Sequence, residues 1–113
     1  MVVTLPMPPS VNHYWRFGRG RFYVAEKGME FRRVVCAKFR DTWYAPIVGN
    51  VSIEIDVYPP DNKRRDLDNI LKALLDALAH AGAYTDDAQV SHIDVQRCEV
   101  VKGGKIVVRV EEA

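Results

Sequence analysis

Apolar residues recur at Leu67, Ile70, Leu71, Leu74, Leu75 and Leu78, the three-and-four spacing that lines one side of a helix. A helix is predicted from Asp66 to Ala81, with Gly82 as its C-terminal cap. Phe31, Val35 and Phe39 step by four with Val34 beside them, predicting another helix over Glu26 to Tyr44, stopped by Pro46 and Gly49. Between the helices the period falls to two. Val51, Ser52, Ile53, Glu54, Ile55, Asp56 and Val57 alternate strictly, which marks a half-buried strand ended by Pro59-Pro60. Val2 to Leu5 predicts a first strand ended by Pro6. Gln89 to Val101 predicts a long one, with Ile106 to Val110 as its hairpin partner across Lys102-Gly103-Gly104-Lys105. The order is β-α-β-α-β-β. Alternating strands and helices require at least one parallel pairing and the terminal hairpin is antiparallel, so the fold class is α/β with a mixed sheet and two helices. A chain of 113 residues that is 48% hydrophobic fits one small domain over residues 1–113.

One stretch is less regular. Tyr14, Trp15, Arg16, Phe17, Arg19, Arg21, Phe22 and Tyr23 interleave rings with guanidinium groups around Gly18 and Gly20. Such a segment can stack on bases while it neutralises phosphates. The other reading is a glycine-hinged hairpin whose rings belong to the core, and strand propensity favours it for Phe22 and Tyr23. The net charge of +1 does not by itself indicate nucleic acid, but its distribution is uneven. Arg16 to Arg40 carries eight basic residues against Glu26 and Glu30, whereas Asp66 to Glu99 carries seven acids against Lys72 and Arg97. One segment suits phosphates and the other metal; two solvated faces of opposite sign is the plainer alternative.

Other classes are excluded in turn. The amino terminus has no basic leader or long apolar core and holds Pro6, Pro8 and Pro9, so it is not a signal peptide. No stretch approaches the ~20 apolar residues that span a bilayer, and a soluble, intracellular protein is expected. Cys36 and Cys98 stand apart without clustered histidines, so neither zinc nor a disulfide is called for; both are expected to be buried.

The chemistry concentrates in Lys63-Arg64-Arg65-Asp66-Leu67-Asp68-Asn69, followed by Lys72 and then by Asp86-Asp87. Carboxylates are the hard oxygen ligands that Mg²⁺ takes, and the cations beside them suit an anionic substrate. On a wheel of ~100° per residue, Asp68, Lys72 and Asp76 share a stripe beside the leucines. A helical Asp66 would point ~200° away from Asp68, so it must stand outside the helix, as an extended N-cap. Capping and turn formation account for Asp66, Asp68, Asp86 and Asp87 without any metal, and Lys72 could simply pair with Asp68. Spacing alone leaves that alternative open. Mg²⁺ held by such acids has a use in phosphodiester cleavage.

Arg64-Arg65-Asp66-Leu67-Asp68-Asn69 with Lys72, then Asp86-Asp87-Ala88-Gln89-Val90, resembles the RusA family of Holliday-junction resolvases of bacteria and prophages. Leu5-Pro6-Met7-Pro8-Pro9-Ser10 with Asn12, and Lys102-Gly103-Gly104, resemble it too, so the likeness spans almost the whole chain. The resemblance implies a small mixed α/β fold, a homodimer, and Mg²⁺-dependent resolution of four-way DNA junctions by paired symmetric nicks in recombination and repair. By motif position it puts the catalytic acids on Asp66, Asp68 and Asp87 and the catalytic lysine on Lys72, with Asp86 as an accessory acid. Lys63, Arg64, Arg65 and Asn69, joined by Arg16, Arg19 and Arg21, are the candidate DNA contacts. A cytoplasmic protein acting at the nucleoid is implied. The competing functions are a non-catalytic nucleic-acid-binding module and a nuclease for other branched DNA.

Overall fold

The computed structural model describes residues 1–40 and 45–113. Its central strand is the one with the strictest alternation. β4 (Val51–Tyr58) buries Val51, Ile53, Ile55 and Val57 and turns the intervening residues outward, as period two requires. β1 (Val2–Leu5), β5 (Val90–Arg97) and β6 (Lys105–Glu112) complete a four-stranded sheet in the order β1-β6-β4-β5. β4 pairs parallel with β5 and antiparallel with β6, and β6 pairs antiparallel with β1. The sheet is mixed and the fold is α/β, as expected.

The terminal hairpin is not formed. β5 and β6 lie on opposite sides of β4, and β5 ends at Arg97 rather than Val101. The reason lies in residues 98 to 104. Cys98 N–H donates to the Val57 carbonyl and Val101 N–H to the Pro59 carbonyl, so the chain is led across the end of β4 before it turns back. Lys102-Gly103-Gly104 turns a crossing, not a hairpin.

The two long helices supply the other layer. In α2 (Glu26–Arg40) the stripe Phe31, Val35 and Phe39 is buried as expected, while the predicted extension over 41–44 lies outside the described residues. α3 (Leu71–His80) buries Ala73, Leu74, Ala77 and Leu78, and a 3₁₀ turn over Leu67–Ile70 precedes it where an unbroken α-helix was predicted. Gly82, at φ +88, follows its end. Packing is close where α2 passes the short helix α1 (Val11–Tyr14): a Cβ on Gly28 would stand 2.6 Å from Val24 Cγ1 and 2.9 Å from Tyr14 Cδ2.

The aromatic and basic stretch forms a separate two-stranded hairpin, β2 (Trp15–Gly18) and β3 (Arg21–Val24). The hairpin reading is right, but the core assignment of Phe22 and Tyr23 is wrong. They are 73% and 47% exposed, because the hairpin is a sheet of its own whose outer end packs on no layer among the described residues. Cys36 and Cys98 are free and half-buried, not fully buried. Among the described residues no helix is long and apolar enough to cross a membrane.

Candidate active site along the third helix

Asp66 stands where the chain leaves the loop after β4. Its backbone is extended (φ −87°, ψ 131°), its carbonyl accepts from Asn69 N–H, and its side chain makes no capping bond. It is therefore outside the helix, as the wheel demanded, with its carboxylate left out of capping. Asp66 lines a cleft of about 500 Å³ with Arg64, Arg65, Asn69 and Ser10, over a floor that includes Met7, Pro60 and Ile70. Asp68 is exposed in the 3₁₀ turn, where its carbonyl accepts from Leu71 N–H. Lys72 follows in the first turn of α3 with its side chain exposed.

The second acidic pair occupies a 3₁₀ turn over Asp87–Gln89, just before β5. Here the two neighbouring acids differ. Asp86 is a true cap: its Oδ1 accepts from Ala88 N–H at 2.8 Å, and Gln89 Oε1 returns an acceptor to Asp86 N–H at 2.9 Å, a capping box. Gln89 also accepts from Thr85 N–H and donates through Nε2 to the Ile47 and Gly49 carbonyls, both at 2.8 Å. One amide thus fastens the turn to the loop before β4. Asp87 instead faces Asp76 and Lys72 of α3 and the Tyr84 hydroxyl. Its carboxyl pKa is raised, first by partial burial, then by Asp76 and Asp86, against smaller opposing effects of the Tyr84 hydroxyl and Lys72. Burial and Asp87 in turn push the Tyr84 phenol well above its ordinary value. Tyr84 donates to the Leu75 carbonyl at 2.7 Å, which fixes the turn against the middle of α3.

Asp76, placed on the Lys72 stripe by the wheel, is held from behind. Arg32 donates to its Oδ2 through Nη2 at 2.7 Å and Nε at 3.0 Å, and the Tyr14 hydroxyl donates to the same oxygen. Arg32 is thereby taken up in an ion pair, whereas Arg33 and Arg40 of α2 remain exposed. Sequence reasoning missed this clasp, since its members are far apart in the chain and lie in three helices. The role of Gln89 carried a signal, three residues after Asp86.

The basic residues also divide. Arg65 is bracketed by Asp61, at 2.5 Å and 3.2 Å, and by the Lys63 carbonyl at 3.3 Å. Arg65 and the Lys63 N–H hold the Asp61 carboxyl down at about 2. Arg97 donates to the Arg65 carbonyl, so the run is tied to β5. Lys63 and Arg64 are exposed, and Arg64 borders both the Asp66 cleft and a second concavity that reaches Arg97. Arg16, Arg19 and Arg21 are exposed on the hairpin.

The donor set fits a hard divalent cation, since all the acids offer carboxylate oxygens and Asp87 is crowded by like charge that a cation would relieve. Yet among the described residues no three His, Cys, Asp or Glu side chains converge closely enough to hold one ion. The structure brings Asp87 to Asp76 and Lys72, and Asp66 to Arg64, Arg65 and Asn69. It does not gather Asp66, Asp68 and Asp87 into one shell within this chain.

Comparison with known proteins supplies the remaining evidence. Residues 6–111 match the endodeoxyribonuclease RusA family. The chain is 40% identical over 111 residues to crossover junction endodeoxyribonuclease RusA of Escherichia coli K12, covering 97% of this chain and 92% of that protein. It is similarly 40% identical to the proteins of that name from Enterobacteria phages 82 and HK97, over 97% and 96% of this chain and 92% and 91% of theirs. A match that takes in both acidic turns, the basic run and nearly every strand and helix leaves one conclusion: this chain belongs to the RusA endodeoxyribonuclease family.

Proposed function

We propose that this protein is a Mg²⁺-dependent endonuclease that resolves four-way DNA junctions by paired, symmetric phosphodiester cleavage, acting as a homodimer in recombination and repair. The observation that carries this reading is the near full-length likeness to relatives named crossover junction endodeoxyribonucleases. The site chemistry agrees. Asp66, Asp68 and Asp87 would hold the ion, with Asp86 shaping the turn that presents Asp87. When bound, Mg²⁺ supplies Lewis-acid stabilisation of charge developing on the phosphate oxygens.

The chain's own residues do the rest. Lys72 sets a positive charge beside Asp87 on the face where a phosphate would lie. Lys63 and Arg64 are exposed to take backbone phosphates beside Asp66, Arg65 is braced by Asp61 to keep that run in place, and Asn69 borders the same cleft. Arg16, Arg19 and Arg21 extend the positive surface onto the hairpin. A junction has two-fold symmetry and needs two incisions, which a symmetric pair of chains supplies.

The test is purified protein with a synthetic four-way junction and a linear duplex of equal length, with and without Mg²⁺. Paired nicking of the junction alone, only with metal, is expected. Asp66→Asn, Asp68→Asn and Asp87→Asn should each lower nicking by at least about 100-fold while junction binding persists. Equal cutting of both substrates, or preferential cutting of flaps, would replace this reading with a different nuclease. No cutting, with metal-independent binding, would leave a binding module.

A further inference from the structure

In the β2–β3 hairpin the register Trp15↔Val24, Arg16↔Tyr23, Phe17↔Phe22, Gly18↔Arg21 sorts the side chains onto two faces, since strand neighbours alternate. Trp15, Val24, Phe17 and Phe22 share one face; Arg16, Arg21 and Tyr23 share the other. Trp15 and Val24 pack on the core, so the hairpin is anchored at its base. Phe17 and Phe22 continue the same apolar face outward. They are 64% and 73% exposed, with ring centroids 5.0 Å apart and planes at 61°. Two exposed phenylalanines paired across strands form an apolar tip that no layer among the described residues covers. On the opposite face the Tyr23 ring lies over Gly18, and with Arg19 and Arg21 it borders a concavity of about 230 Å³. The turn puts Arg19 (φ 53°) and Gly20 (φ 77°) in the left-handed region, as a two-residue hairpin loop requires. From Trp15 to Val24 there are three arginines and no acid.

We infer that this hairpin is a prong for the branch point of the DNA, on which Phe17 and Phe22 stack against bases exposed at the crossover while Arg16, Arg19 and Arg21 hold the flanking phosphates. The inference rests on the branched-DNA reading above and specifies how a branch is told from a duplex. Charge complementarity names the occupant: the charged residues of the hairpin are arginines alone, which suits a polyanion with open ring faces. In an intact duplex the base faces are stacked on one another, so the rings gain nothing there; at a crossover they are available. The arginines grip either DNA, and the phenylalanines read the branch.

The experiment compares the wild type with Phe17→Ala/Phe22→Ala and with Phe17→Trp/Phe22→Trp. Binding without divalent metal is measured to a four-way junction carrying 2-aminopurine at the crossover and to a linear duplex. Both pairs are at exposed positions, and thermal melting checks that each variant is folded. The alanine pair should weaken junction binding about tenfold or more, abolish the 2-aminopurine fluorescence change, and leave duplex affinity unaltered; the tryptophan pair should retain all three. Unchanged junction affinity and fluorescence, or equal loss on junction and duplex, would overturn the proposal. So would a fall in oligomeric mass of the alanine pair in sedimentation, which would make a second copy of the chain the occupant. Wild-type nicking distinguishes the two levels. If the wild type neither binds nor cuts junctions, the functional reading has failed and this one with it; if it cuts them and the alanine pair matches it, only the prong has failed.

Discussion

Asp87 stands in a turn where the nearest charges, apart from Lys72, share its sign. Its carboxyl is raised by burial, Asp76 and Asp86, so the folded protein holds its proton more tightly than the unfolded chain does. At pH above that raised value the charge costs stability. The cost fades as pH falls through the folded value and is gone below the ordinary carboxylate value of about 3.9. Asp87→Asn should therefore melt at a higher temperature than the wild type at pH 7 without metal, with the gap closing as pH approaches about 4. Mg²⁺ should raise the wild-type melting temperature and leave that of the variant nearly unmoved. A variant that is more stable yet inactive marks an acid kept for its site and not for its fold. Equal or lower stability of Asp87→Asn at pH 7 would mean that the carboxylate serves the turn instead.

The turn that carries Asp87 is fastened to the loop before β4 by one side chain, Gln89, and its rigidity is testable as an element. Gln89 bonds four backbone groups, two from its own turn and two from the loop before β4. Gln89→Ala should cost roughly 2 kcal/mol in urea unfolding, from several mostly exposed bonds each worth ~0.5–1.5. Amide exchange should quicken at Thr85 and Asp86, and nicking should need more Mg²⁺ than the wild type. Unchanged exchange at those two amides would show the turn to be held by something else. This element was legible in the sequence, because a capping box is a local spacing. The alternation of β4, the leucine stripe of α3 and the extended Asp66 were legible for the same reason: each follows from neighbours within one or two turns of chain. What was not legible is set by distant partners. The 98–104 segment satisfies the local grammar of a hairpin, but its bonds to Val57 and Pro59 carry it across the sheet, so β6 joins β4 instead of β5. Strand propensity located Phe22 and Tyr23 in a hairpin and could not tell that its outer end lacks a packing partner among the described residues. The Tyr14–Arg32–Asp76 clasp joins residues from three helices, and no local spacing connects them.

Across the whole molecule, the candidate acids are spread along α3: Asp66 and Asp68 precede it, and Asp87 is fastened against its middle through Tyr84. The hydrogen bonds that fix both turns make large movements within one chain costly, and no three acids converge there among the described residues. In the proposed homodimer, a two-fold axis repeats each acidic turn, so that Asp66 and Asp68 of one chain can meet Asp87 of the other. Mixing then gives a sharp result. Asp66→Asn and Asp87→Asn are each inactive alone; co-refolded in equal amounts, they form mixed pairs in which one composite site carries both substitutions and the other carries neither. Nicking should return on one strand of the junction and not on both, read as single-nicked junctions without resolved duplexes on a denaturing gel. Complete inactivity of the mixture, with mixed pairs verified by mass, would require each chain to build its site alone. The carboxylates of Asp66, Asp68 and Asp87 would then have to close on the ion by rotating within their own chain.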